Sequence, residues 1–160
     1  MVVSSISKSH AAPGFRSGWA IGSKEFCLRT LPLSETMLFG GQPFIADMTA
    51  LALSRPSKVS IEMKTAYERR AKLICDSLKT VKKITPLMPN AGMFILIDIE
   101  KTNLNCLDFA WKFLSEQLVA VMPGDSFGDQ AKGFIRLSLT VPDKLLQQAC
   151  DRLSCFIKNL

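Results

Sequence analysis

Two apolar segments in the C-terminal half of the chain limit most strongly what it can fold into. One is the uninterrupted run MFILIDI at residues 93–99, which follows turn-forming residues at 90–92. A run this short and this apolar predicts a buried β-strand. The other is FIRLSLT at residues 134–140, where apolar and other side chains alternate. Alternation of this kind predicts a strand with one face in the core.

Apolar residues at helical spacing surround these strands, and the spacing predicts five helices. They cover residues 23–31 with Ser23 as N-cap, a segment from Pro43 to Arg55-Pro56, a long segment capped by Ser57 and ending near Leu78, residues 107–118, and residues 145–157 with Thr140 as cap. Residues 32–41 are predicted to be a loop, and residues 2–6 and 119–122 short strands. The second half is therefore predicted to be α+β, a small sheet with helices packed on it.

The composition limits the classes of protein to which the chain can belong. The chain has 160 residues, room for one domain or parts of two, and is 48% hydrophobic, which supports a sizeable core and argues against disorder. No run approaches the roughly 18–20 apolar residues of a membrane-spanning helix, and the first ten residues lack a signal-peptide pattern. Five scattered cysteines without a CxxC pair predict free thiols in a reducing cytoplasm. A single histidine, His10, argues against a metal site.

The net charge of +6 fits either plain solubility or affinity for anions. The chain has no dense lysine and arginine run and no interleaving of aromatic with basic residues. Nucleic-acid binding is therefore disfavoured, and salt-dependent retention on DNA would be needed to support that function.

The stretch SSISKSHAAPGFRSGW near the start of the chain concentrates hydroxyls around Lys8, where the predicted first strand ends. Ligands of α/β proteins bind at strand ends, and the Pro-Gly turn that follows can bring Arg16 back toward the lysine. A hydroxyl from Ser5 and the guanidinium of Arg16 could together hold a phosphate. From the residues alone a solvated lysine in a polar loop is still favoured, because this spacing is loose.

The segment SSISKSHAAPGFRSGWAIG resembles the cofactor-lysine segment of class I/II pyridoxal-phosphate aminotransferases, enzymes of fold type I such as aspartate aminotransferase. Ser5, Lys8, Arg16 and Gly18 match its pattern. Four further segments resemble parts of the family, in the family's order. The next helix is resembled by QPFIADMTALAL and the inter-domain helix by MKTAYERRAKLICDSL. The first small-domain strand is resembled by PNAGMFILIDI, and the C-terminal block with the substrate-carboxylate arginine by VAVMPGDSFGDQAKGFIRLSLTVPDKLLQQA. The resemblance covers essentially the whole chain.

The resemblance implies a role for each matching residue. Lys8 would form the Schiff base with pyridoxal 5′-phosphate and move the proton between the substrate Cα and the cofactor. Ser5 and Arg16, and more weakly Ser7, would bind the cofactor phosphate. Arg136 would bind the α-carboxylate of the substrate in a bidentate pair.

Further implications concern the rim of the site and the assembly. Residues 90–92 and 127–128 would line the site, and His10 resembles a common family residue without a chemical role. Residues 39–43 resemble those that face the other subunit's site, so the complete enzyme is expected to be a homodimer.

The resemblance also implies the domain organisation. The expected fold is α/β with an α+β C-terminal small domain. Residues 1–56 would be the remnant of the cofactor-binding large domain, and residues 57–160 the inter-domain helix and small domain. Because the chain opens shortly before Lys8, it is expected to be the C-terminal part of such an enzyme. It would lack most large-domain strands, the ring that stacks on the cofactor and the carboxylate that pairs with the pyridine nitrogen.

Two functions follow. One is a pyridoxal-phosphate-dependent transaminase for L-amino acids and 2-oxo acids, active only when the rest of the polypeptide is supplied. The other is a stable non-catalytic module, such as a pseudogene product or a partner that docks on a full-length relative. The amino donor stays open, because Arg136 reads only the carboxylate that all amino acids share.

Overall fold

The computed structural model describes all 160 residues and contains six strands and six helices. The strands are β1 (Val2–Ser5), β2 (Gly18–Ile21), β3 (Thr85–Leu87), β4 (Phe94–Asp98), β5 (Met122–Pro123) and β6 (Phe134–Ser138). The helices are α1 (Ile6–Ser9), α2 (Lys24–Leu38), α3 (Pro43–Leu53), α4 (Lys58–Leu78), α5 (Cys106–Gln117) and α6 (Asp143–Lys158). No helix is both long enough and apolar enough to cross a membrane.

The chain forms two compact units, Met1–Lys64 and Thr65–Leu160. Helix α4 begins in the first unit and ends in the second. The functional division into residues 1–56 and 57–160 stays a prediction.

The first unit is built on the antiparallel pair β1 and β2, with a ladder that runs from Val2 opposite Ile21 to Ser5 opposite Gly18. The single turn of α1 follows β1 directly. Ile6 is the one buried apolar residue of this unit, with 2% of its surface exposed.

Helix α2 extends further than the sequence predicted. Ser23 caps it as expected, with its Oγ accepting a hydrogen bond of 3.2 Å from the Phe26 amide. The predicted loop at residues 32–41 is wrong, because α2 continues through Pro32 to Leu38. Proline removes one backbone hydrogen bond, and in a helix without buried residues the carbonyl left over can bind water. The helix stops at Phe39, whose φ of 52° is left-handed.

The starts of α3 and α4 confirm the sequence signals. Pro43 occupies the first turn of α3, and the Ser57 Oγ accepts a hydrogen bond of 3.1 Å from the Ser60 amide at the start of α4. Helix α3 ends before Arg55-Pro56, as predicted.

The second unit contains an antiparallel sheet in the order β3-β4-β6-β5. The sequence did not predict β3, and the strand predicted at residues 119–122 is reduced to the two-residue β5. A three-residue strand containing a proline leaves too short a pattern to recognise.

The core lies on one face of β4 and β6, packed against α4, α5 and α6. Its members are apolar and nearly solvent-free: Ala71, Ile74, Leu78, Ile84, Ile95, Ile97, Ile99, Phe109, Phe113, Ile135, Leu137, Leu139, Leu146, Cys150, Leu153, Phe156 and Ile157. The alternation predicted for β6 is confirmed, with Ile135 and Leu137 buried. For β4 the prediction is corrected: Ile95 and Ile97 are buried, but Phe94 on the other face is 36% exposed. Although its apolar run is continuous, β4 therefore has only one fully buried face.

The predicted cap of the last helix is also wrong. Pro142 is the N-cap of α6, and the Thr140 hydroxyl instead lies 2.8 Å from the Ser138 hydroxyl. Asp143, in the first turn of α6, binds two arginines of α4.

Candidate functional site

The β1–β2 ladder fixes the backbone next to the predicted N-terminal site residues. Ser5 is the last residue of β1 and faces Gly18 on β2. One step further, the Ile6 amide donates a hydrogen bond of 3.3 Å to the Ser17 carbonyl. The backbone around Ser5 therefore runs beside the segment that carries Arg16, while Lys8 lies in the helical turn that begins at Ile6.

Gly18 permits the close approach of the two strands at this point. A Cβ atom at position 18 would lie 2.9 Å from the Ser4 carbonyl oxygen and 3.2 Å from the Ser5 Cβ. Both atoms belong to or adjoin the backbone of β1, so any side chain here would push the strands apart.

The turn that carries Lys8 is held by its backbone. The Ile6 carbonyl accepts hydrogen bonds from the amides of His10 (3.1 Å) and Ala12 (3.3 Å). The Ser9 hydroxyl lies 3.0 Å from the Ser5 carbonyl oxygen, to which it donates, and 2.8 Å from His10 Nδ1. His10 thus has a structural contact and needs no chemical role.

Three of the four side chains predicted to bind the cofactor, those of Ser5, Ser7 and Lys8, have no partner in the chain. The hydroxyls of Ser5 and Ser7 form no hydrogen bond, and the Lys8 ammonium forms neither a hydrogen bond nor an ion pair. Lys8 is exposed, so the desolvated surroundings expected of a Schiff-base lysine are not supplied by the residues around it.

Arg16 adopts an unusual backbone conformation at the end of the turn Pro13–Phe15. Its φ is 50°, in the left-handed region, which costs a non-glycine residue about 1–2 kcal/mol. Its Nη1 donates a hydrogen bond of 2.9 Å to the Pro13 carbonyl, and the remaining guanidinium N–H groups have no partner. The Arg16 side chain is therefore held close to its own turn, and its other N–H donors are available to a ligand.

Arg136 lies in the middle of β6, with Leu96 of β4 and Met122 of β5 as its partners in the ladders. Its guanidinium carbon lies 4.3 Å from the centroid of the Phe94 ring and 4.8 Å from that of Phe127. The side chain is partly buried, and its N–H groups make no hydrogen bond or ion pair within the chain. A half-buried cation with free donors can accept an anion.

One of these two rings was missed in the sequence. Phe127 was predicted to line the site, whereas Phe94 was assigned only to the strand. The register of the ladder would have identified Phe94. Leu96 is the ladder partner of Arg136, and Phe94 lies two residues before Leu96, so Phe94 and Arg136 are on the same face of the sheet. The role predicted for residues 90–92 stays a prediction.

A second charged cluster is structural. The Arg69 Nε and Nη2 donate to the two carboxylate oxygens of Asp143 at 2.8 and 3.1 Å. Arg70 donates to the same carboxylate at 2.8 Å and to the Leu139 carbonyl at 2.9 Å. Hydrogen bonds from Arg69 and then Arg70 lower the pKa of Asp143 to about 2. This cluster ties α4 to the start of α6.

Comparison with known proteins gives a consistent result. Residues 1–153 match the family model described as aminotransferase class I and II. Over 152 residues the chain is 38% identical to the arginine–pyruvate transaminase AruH of Pseudomonas aeruginosa, a match that covers 95% of this chain and 39% of that protein. It is 30% identical over 157 residues to an LL-diaminopimelate aminotransferase of Dehalococcoides mccartyi, covering 97% of this chain and 39% of the relative.

Solved structures agree with the sequence matches. The aromatic aminotransferase from Pyrococcus horikoshii superposes with a TM-score of 0.91 at 28% identity, covering 98% of this chain and 42% of that structure. A probable N-succinyldiaminopimelate aminotransferase from Thermus thermophilus gives a TM-score of 0.85 at 30% identity, covering 95% and 40%. The chain thus spans about 40% of the length of these relatives.

Proposed function

The chain belongs to the family of class I and II aminotransferases, and we propose on this basis that it carries the cofactor-attachment and carboxylate-binding residues of a pyridoxal-phosphate-dependent transaminase. The reaction is the transfer of an amino group between an L-amino acid and a 2-oxo acid. The observation that supports the proposal is that Lys8 follows β1 and Arg16 precedes β2, the two paired strands, and that Ser5, Lys8 and Arg16 each have donors without a partner.

The chemistry of these side chains fits pyridoxal 5′-phosphate, which presents an aldehyde and a phosphate. Ser5 and Ser7 offer hydroxyl donors and Arg16 a planar fork, the combination that binds phosphate well. The Lys8 amine is the nucleophile that an aldehyde requires. When bound, the cofactor supplies an electron sink for the bond that breaks at the substrate Cα.

The residues of this chain then have separate tasks. Ser5 and Arg16 fix the phosphate and thereby the position of the attachment point next to Lys8. Lys8 Nζ would accept the proton that leaves the substrate Cα and would then pass it to the cofactor, which frees the amine again. Arg136 holds the substrate α-carboxylate in the plane of its guanidinium.

The proposed substrate class is broad. The relatives are named for arginine and pyruvate and for LL-diaminopimelate. The two amino acids, arginine and LL-diaminopimelate, both carry the α-amino and α-carboxylate groups that Lys8 and Arg136 would serve. The proposal therefore covers L-amino acids with a free α-carboxylate.

We place the complete enzyme in the cytoplasm as a homodimer. The five cysteines are all free thiols, which supports a reducing compartment. The first unit exposes large apolar side chains, with Phe39 93% and Met37 75% exposed, and such surface is typical of a face that another polypeptide covers.

One observation favours a second function. Because Lys8 is exposed, these residues could instead belong to a non-catalytic module that docks on a full-length relative. The two functions differ in whether Lys8 is more reactive toward the cofactor than other exposed lysines.

Reductive labelling tests the proposal. The chain is incubated with pyridoxal 5′-phosphate, reduced with borohydride and mapped by peptide mass spectrometry. We expect Lys8 to be labelled at a lower cofactor concentration than Lys24, an exposed lysine of the same unit. The variants Ser5→Ala and Arg16→Ala should abolish this preference, whereas Lys24→Ala should leave it intact.

A chimera decides between the two functions. This chain replaces the matching segment of the arginine–pyruvate transaminase, and amino-group transfer to pyruvate is measured. We expect activity that Lys8→Ala abolishes. A folded chimera that is inactive, together with labelling spread evenly over exposed lysines, would favour the non-catalytic module.

A further inference from the structure

Two phenyl rings reach the guanidinium of Arg136 from different flanks of β6. Phe94 belongs to β4, on one side of β6, and lies two residues from the ladder partner of Arg136, Leu96. Phe127 ends the turn Gly124–Phe127, which follows β5 on the other side of β6. Strand register and turn position thus bring two rings from separate elements to one cation.

The distances bring the guanidinium into contact with both rings. Its central carbon lies 4.3 Å from one ring centroid and 4.8 Å from the other, inside the roughly 6 Å limit of a cation–π contact. Phe94 and Phe127 make no ring contact with each other. Two separate rings therefore contact the guanidinium, and its N–H donors have no hydrogen-bond partner in the chain.

We infer that Phe94 and Phe127 are positioning residues that hold the plane of the Arg136 guanidinium for the substrate carboxylate. The inference rests on the proposed function, because that function gives Arg136 its ligand. A bidentate pair requires the carboxylate and the guanidinium to share a plane. A free arginine side chain must lose its rotamer freedom when the ligand binds. The rings impose this loss in advance, and preorganisation of this kind strengthens binding.

Electrostatic attraction and simple apolar packing predict different responses to substitution. Leucine keeps an apolar side chain at either position but has no π-face, whereas tyrosine keeps the π-face. If the rings act only as apolar cover, the leucine variants should bind carboxylate like the wild type. If they position the cation, the tyrosine variants should bind like the wild type and the leucine variants should not.

The experiment uses the whole 160-residue chain with labelled arginine side chains, observed by NMR. The Arg136 Nε–H signal is assigned by its loss in Arg136→Lys, and pyruvate is titrated as the carboxylate probe. We expect the affinity for pyruvate to fall about 2- to 5-fold in Phe94→Leu and in Phe127→Leu, and further in the double variant. Phe94→Tyr and Phe127→Tyr should retain the affinity. Trp111→Leu, which removes an exposed ring that contacts no arginine, is the matched control.

A second measurement does not depend on any variant. In the wild type, the side-chain protons of Arg136 should be shifted upfield by the two ring currents, and rotation about the Cζ–Nε bond should be slower than in exposed Arg29. Normal shifts and fast rotation would overturn the inference even if a leucine variant failed to fold.

The outcomes separate the inference from the proposed function. Equal pyruvate affinity in the wild type and the folded leucine variants would overturn the positioning role alone. A wild-type Arg136 signal that is ring-shifted but unmoved by pyruvate would contradict the carboxylate role of Arg136, and with it the inference built on that role.

Discussion

At the scale of single residues, Gly18 shows how a small residue can decide the geometry of a site. Its absent side chain lets β2 run close to Ser4 and Ser5, which brings the Arg16 segment next to the predicted phosphate-binding hydroxyl. The motif predicted the importance of this glycine, and the structure supplies the reason.

Substitution of Gly18 by alanine should therefore destabilise the first unit. Because the new Cβ would meet the Ser4 carbonyl oxygen at 2.9 Å, we expect a loss of about 1–3 kcal/mol in the free energy of unfolding, together with loss of the preferential labelling of Lys8. Gly14→Ala is the control, since no atom lies within 4 Å of a Cβ at that position. Denaturant unfolding of both variants measures the effect, and equal loss in the two would contradict the close-approach argument.

Residues also mark the limit of prediction from sequence. Ser23, Pro43 and Ser57 were identified correctly as helix starts because each acts through atoms a few positions away along the chain. Phe94 and Asp143 were not assigned their contacts, because their partners lie far away in sequence. Only strand register and helix packing bring such pairs together.

At the scale of elements, the carboxylate of Asp143 connects two helices. It accepts hydrogen bonds from Arg69 and Arg70 of α4 while occupying the first turn of α6. The sequence predicted both helices, yet its assignment of Thr140 as cap left this connection out. The loop predicted at residues 32–41 is wrong because α2 continues through Pro32 and ends only at Leu38, just before Gly40 and Gly41.

The Asp143 cluster gives the stability a defined dependence on acid. The pKa of this carboxylate is lowered from 3.8 to about 2 in the folded chain, so the unfolded state takes up the proton first. The stabilisation is complete above about pH 4 and is lost as the pH falls through 2. We expect the difference in unfolding midpoint between wild type and Asp143→Asn to be largest at pH 5 and to shrink steadily toward pH 2.

The control for this titration is an ion pair on the surface. Asp129 contacts Lys132 at 2.7 Å, but its side chain is 85% exposed, and such pairs contribute little. Asp129→Asn should show no comparable change with pH. A difference for Asp143→Asn that stays constant from pH 5 to pH 2 would contradict the assignment.

At the scale of the whole molecule, apolar burial is distributed unevenly. Every buried apolar residue except Ile6 lies in Thr65–Leu160. Helix α2, in the first unit, has no buried residue. The sheet and helices predicted for the second half agree with this, because the period of apolar residues reports which face of an element is buried.

Hydrogen exchange should reproduce the contrast. We expect the amides of β4, β6 and α6 to exchange through global unfolding, and those of α2 and α3 to exchange through local openings of much lower free energy. Mass spectrometry of deuterated peptides from the native chain measures both. Equal protection of the two units would mean that burial within the chain is not what stabilises them.

The turn after β1 has a simple energetic consequence for any ligand that reaches it. Its shape is maintained by main-chain atoms and by Ser9, so the hydroxyls of Ser5 and Ser7 and the amine of Lys8 have only water to give up. An incoming anion at these three groups competes with solvent and with no contact inside the protein. Its affinity will therefore respond to ionic strength, while the architecture beneath it stays the same.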